Sequence, residues 1–174
     1  LAGSLPPGLE PTYYSELVTI LRASGYAGNI AIDTSEAPLI ATVAGKHKPT
    51  LIKPNSEELA QLTGSDNWEE LEASPELTAR TAQKLLGGGI EYVLATLGGG
   101  GAVLVTEQGI WHAVHEPVQV RSTVGAGDSS LSGFLIAHTR GADASGCLVQ
   151  AVAHGSAAAA LPGTRMPSLD QTTP

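Results

Sequence analysis

The stretch that most restricts the fold runs from Val120 to Gly133, where Gly125-Ala126-Gly127-Asp128 leads straight into Leu131, Phe134 and Leu135. That apolar spacing is helical, so the glycines stand at a helix start. Gly125 and Gly127 can take backbone angles closed to other residues, which lets consecutive N–H groups turn toward one point. Added to the unpaired amides and positive pole of the helix, they form a site for an anion such as a phosphate. Asp128 would repel a phosphate resting there. It has a purpose if it faces a hydroxyl that loses its proton while attacking a phosphoryl group held by the amides. The pair of features describes phosphoryl transfer to an alcohol. The plainer reading of the same residues is a glycine turn with Asp128 capping a helix. Two other phosphate motifs are excluded: Ser130 occupies the third glycine of the dinucleotide fingerprint, and no Gly-Lys-Ser/Thr follows as in a Walker A loop.

Around this stretch, strand-like and helix-like segments alternate. A helix is expected at about 11–24, with Tyr14, Leu17, Val18 and Leu21 on one face, then a strand at 29–34 and a helix at 36–44. A strand at 50–53 is stopped by Pro54, and Asn55 with Glu58 three residues on fits a capping box. Residues 65–73 read as loop. A helix from Ser74 to Leu86 is ended by Gly87-Gly88-Gly89, and a buried strand follows at 91–96. Gly98 to Gly101 precede a hairpin of 102–106 and 109–115, and two helices at 128–138 and 144–160 complete the pattern. Such alternation implies a three-layer α/β fold with a mostly parallel sheet. Residues 166–174 read as a frayed tail.

Four blocks occur in order: Ala2-Gly3-Ser4-Leu5-Pro6-Pro7-Gly8, Lys53-Pro54-Asn55-Ser56-Glu57-Glu58-Leu59, Thr96-Leu97-Gly98-Gly99-Gly100-Gly101 and Ser122-Thr123-Val124-Gly125-Ala126-Gly127-Asp128. Together they resemble the PfkB (ribokinase-like) family of sugar kinases, in wording similar to the bacterial 1-phosphofructokinases. The resemblance implies an α/β/α ribokinase-like sandwich, of which residues 1–174 would be the C-terminal ATP-binding part. The N-terminal half, with the lid, several strands, most sugar-phosphate contacts and the homodimer contact, would lie outside this chain. Joined to it, the chain would use ATP and Mg²⁺ to convert fructose 1-phosphate to fructose 1,6-bisphosphate. Asp128 would be the base and touch the sugar, while amides of Gly125, Ala126 and Gly127 would hold the moving phosphoryl. Lys53 would meet the nucleotide phosphates, Asn55 and Glu58 would serve magnesium through water, and Thr96, Gly98, Gly99, Gly100 and Gly101 would contact ATP. Ser4 would approach the sugar, and carbonyls near Ser122, Val124 and Gly163 would hold a monovalent cation. Relatives usually carry glycine where Glu36 stands, so the turn there is expected to differ. Two alternatives stay open: a non-catalytic nucleotide-binding fragment or subunit, and a kinase for tagatose 6-phosphate or fructose 6-phosphate.

A net charge of -8 argues against nucleic acid or anionic membrane as a partner. A single cysteine, Cys147, excludes an internal disulfide and suits a reducing cytoplasm, and no apolar run reaches the roughly 18 residues of a membrane span. No Gly-x-Ser-x-Gly elbow of a serine hydrolase occurs. Asp33 reads as a strand-end or capping residue; His112 and His115, three apart on a presumed strand, point to opposite faces and cannot chelate one metal, His47 reads as exposed, and His138 and His154 read as packing residues.

Overall fold

A computed structural model describes residues 1–173; Pro174, the last residue of the expected tail, lies outside the described residues. The order is α1 (Tyr13–Ala23), β1 (Ala31–Ile32), α2 (Glu36–Ala44), β2 (Leu51–Ile52), α3 (Ser56–Thr63), α4 (Trp68–Ala73), α5 (Pro75–Gln83), β3 (Tyr92–Thr96), β4 (Ala102–Thr106), β5 (Gly109–Ala113), α6 (Ala126–Thr139) and α7 (Ala144–Ala159). The sheet follows chain order, parallel from β1 to β3 and antiparallel through the β4–β5 hairpin. Leu1 to Gly3 extend it beyond β1, with Ala2 bridging Asp33 in parallel.

Alternation along the strands makes the three layers, because successive side chains leave a strand on opposite faces. Ile32, Ile52, Val93, Ala95, Val103 and Val105 point to one side, where Tyr14 and Val18 of α1, Leu59 of α3, Leu71 of α4 and Ala82 of α5 pack on them. Leu51, Leu94, Ala102 and Leu104 point to the other, against Phe134 of α6 and Leu148 and Ala151 of α7. Because β1, β2 and β3 are parallel, their carboxyl ends deliver Asp33, Lys53 and Thr96 to one edge of the sheet. Ligands of open α/β sheets bind at that edge.

Helices α6 and α7 lie in close contact because Gly133 has no side chain. A Cβ there would sit 2.5 Å from the Gln150 carbonyl oxygen and 2.7 Å from the His154 ring. Gly133→Ala is therefore expected to cost about 2 kcal/mol, read as a lowered urea midpoint with unchanged slope.

One segment departs from the expected elements. Residues 68–73 form helix α4 and not loop: Asn67 Oδ1 accepts the Glu70 amide at 3.2 Å, and Leu71 is buried. Near the C-terminus, Gln150 Nε2 donates to the Thr172 carbonyl at 2.7 Å and Ser129 Oγ lies 3.8 Å from Met166 Sδ, while Met166 and Leu169 are exposed. At the start of α2, Glu36 occupies the left-handed region with φ 53, a conformation that costs a residue with a Cβ roughly 1 kcal/mol.

Candidate active site

The site is built at the carboxyl edge of the parallel strands. A cleft of about 700 Å³ opens there, and Lys53, Asn55, Thr96, Gly98, Gly99, Gly101, Ala126 and Gly127 all line it. The volume is that of a small-molecule pocket. Val114, Pro117, Val118, Val120 and Ala159 give part of its lining an apolar character, with His115 and Glu116 among them.

Gly125 caps α6 from the left-handed region, φ 80 and ψ -2, which a residue with a Cβ seldom occupies. Its backbone turns the chain so that α6 begins two residues earlier than expected, with Gly127 and Asp128 in the first turn. Among the described residues the amides of Gly125, Gly127 and Asp128 have no backbone acceptor. The Ala126 amide differs from its expected role, since it donates to the Thr123 carbonyl at 3.2 Å and is spent on a turn. Asp128 is solvent-exposed, one residue beyond Gly127.

Lys53 reaches this helix start from beneath. Its Nζ lies 3.0 Å from the position a Cβ on Gly127 would occupy, so any side chain there would displace the ammonium. The same Nζ pairs with Asp33 Oδ1 at 3.1 Å, with the two side chains only 6% and 13% exposed. Burial pushes the Asp33 carboxyl above its usual range, Lys53 pulls it back, and the nearby charge of Asp128 raises it further. Lys53 thus stands between a buried carboxylate and the open amides of α6. Asp33, expected as a strand-end or capping residue, is in addition the partner of Lys53, because both follow the adjacent parallel strands β1 and β2.

Asn55 and Glu58 form the full capping box: Asn55 Oδ1 accepts the Glu58 amide and Glu58 Oε2 accepts the Asn55 amide, both at 2.8 Å. Burial raises the Glu58 carboxyl and the Asn55 amide works against the rise. One carboxylate oxygen is left over, and Glu58 itself does not line the cleft. Such a donor set fits a hydrated Mg²⁺, which takes few protein ligands and completes its shell with water and phosphate.

Gly98–Gly100 make one 3-10 turn after β3, whose Gly100 does not line the cleft. Ser4 is exposed in the turn after Gly3, whose carbonyl accepts the hydroxyls of Tyr14 at 3.0 Å and Thr34 at 2.9 Å. The loop with Ser122 and Val124 is tied to the end of α7, since the Arg121 and Ser122 amides donate to the Ala159 carbonyl at 2.8 and 3.2 Å; Gly163 lies just past that end. His115, set aside on sequence, lines the cleft, whereas His154 is buried against Gly133 and its imidazole is held below its ordinary range by burial.

Residues 1–171 match the family model described as pfkB family carbohydrate kinase. The chain belongs to the pfkB family. It is 37% identical over 173 residues to the 1-phosphofructokinase of Haloferax volcanii, an alignment covering 98% of this chain and 52% of that protein. Among solved structures it is similar to phosphofructokinase-2 from Escherichia coli in complex with potassium, with a TM-score of 0.85, 31% identity, and coverage of 98% of this chain and 53% of that one. The same enzyme in complex with fructose-6-phosphate matches with a TM-score of 0.81 and 30% identity over 98% of this chain and 52% of that one. The chain spans about half the length of these pfkB relatives. No helix among the described residues is long and apolar enough to cross a membrane.

Proposed function

We propose that the chain carries the ATP-binding, phosphoryl-transferring side of a sugar-phosphate kinase that makes fructose 1,6-bisphosphate from fructose 1-phosphate within a longer polypeptide. The observation that carries this reading is the Lys53 ammonium set against Gly127 at the unpaired amides of α6, with Asp128 on the next residue. The triphosphate of ATP would lie along Gly98, Gly99 and Gly101, with its base against Val114, Val118 and Val120. Its terminal phosphoryl would meet Lys53 and the amides of Gly125 and Gly127. In the transfer the sugar hydroxyl oxygen bonds to the terminal phosphorus, the bond to the ADP oxygen breaks, and the hydroxyl proton passes to Asp128. Each amide aimed at the moving charge contributes roughly 3 kcal/mol by analogy with oxyanion holes. Bound magnesium, near Asn55 and the free oxygen of Glu58, would neutralise phosphate charge. Carbonyls at Ser122, Val124 and Gly163 are the proposed seat of a monovalent cation, in keeping with the potassium complex of the E. coli relative.

Calorimetry of the chain with MgATP, paired with a kinase assay of the longer polypeptide on each sugar phosphate, tests this. Saturable binding and preferential turnover of fructose 1-phosphate are expected. No binding at millimolar MgATP would sink the reading, and binding without turnover of any sugar would recast the protein as a nucleotide-binding subunit. Fructose 6-phosphate is the second acceptor reading, favoured by the E. coli structure whose bound sugar it is.

A further inference from the structure

Helix α4 carries a side chain that neither the sequence motifs nor the kinase reading uses. Trp68 opens that helix and is 42% exposed, yet it lines the same cleft as Lys53 and Gly127. The helix is fixed on both flanks: Asn67 caps its start, Leu71 anchors it in the core, and the Thr78 hydroxyl donates to the Leu71 carbonyl at 2.6 Å. Trp68 and Glu72 are four residues apart and share one helix face. Glu72 Oε1 lies 3.0 Å from the position a Cβ on Gly98 would take, so that face backs onto the glycine turn. At the other end of the turn, a Cβ on Gly101 would come within 3.0 Å of the Val114 Cα. The glycine turn is thus flanked by Glu72 of the Trp68 face at one end and by Val114 at the other, and Trp68 and Val114 both line the cleft.

We propose that Trp68 is a nucleotide-contacting residue that flanks the ribose and inner phosphates where a bound nucleotide crosses the glycine turn. A base seated on the valines and a terminal phosphate at Gly127 leave that middle portion over Gly98 and Gly99. The indole has no core to fill. It offers a flat apolar face to the ribose and an N–H donor to phosphate oxygen, and burial of that face against a ligand is favourable. Glu57 and Glu72 also line this end, so the phosphates would approach on the Trp68 side only as a magnesium complex. Contact with the sugar and phosphates, not the base, makes the contribution independent of the purine.

This inference rests on the cleft binding a nucleotide, and the test separates the two. The chain has two tryptophans, and Trp111 on β5 packs against the α6–α7 side, so Trp111→Phe leaves Trp68 as the sole indole reporter. Titration with MgATP is expected to change that emission saturably. By calorimetry, Trp68→Ala should raise the dissociation constants of MgATP and MgGTP alike by about tenfold, with Trp68→Phe recovering most of the loss. Unchanged emission together with unchanged affinity in Trp68→Ala, while the parent chain binds MgATP, would overturn the role of Trp68 alone. Loss of affinity for one purine only would place the indole on the base and overturn the assignment to ribose and phosphate. Failure of the parent chain to bind either nucleotide would overturn the inference together with the kinase reading. Because Trp68 is exposed, the alanine variant is expected to keep the parent's unfolding midpoint.

Discussion

Asp128→Asn in the longer kinase proposed above is expected to cut turnover by roughly 10²- to 10⁴-fold while MgATP affinity stays within about twofold. The amide keeps the shape of the carboxylate and its place in the first turn of α6, where it is exposed. It loses the ability to accept the proton of the attacking hydroxyl. The nucleotide meets the helix start through the amides of Gly125 and Gly127 and through Lys53, none of which is altered. Removing a negative charge near the phosphates would, if anything, tighten MgATP. Pre-steady-state mixing with calorimetry reads both quantities. Turnover within a few-fold of the parent would reject Asp128 as the base, and equal losses in affinity and turnover would make it a binding or folding residue.

Much of this site was legible because glycine and aspartate leave few choices in backbone and charge. Gly125 caps α6 from a positive φ, and Asn55 with Glu58 makes the box their spacing announces. Within the strands, period two sorts Leu51 from Ile52 and Leu94 from Val93 onto opposite faces. What escaped depends on contacts between distant segments. No local pattern says that Lys53 turns toward Asp33, twenty positions earlier by numbering, or that the Ala126 amide is used by Thr123. Helix α4 was missed because its acidic, polar composition suits a loop equally well; a single buried residue, Leu71, together with the Asn67 cap decides it. Trp68 acquires its position in the cleft from that helix.

The Lys53–Asp33 pair permits the sharpest test of how the site is held. Lys53→Met is expected to abolish measurable MgATP binding and to lower stability by about 3–5 kcal/mol at neutral pH, because it leaves Asp33 buried and unpaired. The pH dependence follows from the raised Asp33 carboxyl. A folded state that holds this proton more firmly than the unfolded chain is favoured below the ordinary carboxylate range, and that advantage is lost as pH rises through the folded value. Lys53 opposes the rise, so its removal moves the folded value further up and deepens the loss above it. The stability gap between parent and Lys53→Met should be widest near neutrality and narrow as pH falls below the ordinary carboxylate range, where the carboxyl is protonated in both. Adding Asp33→Asn removes the buried charge, and the double variant should regain most of the stability and lose the pH dependence while still failing to bind MgATP. Urea titrations from acid to neutral pH decide it: a gap that is the same at every pH would mean that Lys53 stabilises by its packing, and that Asp33 does not hold the ammonium at the start of α6.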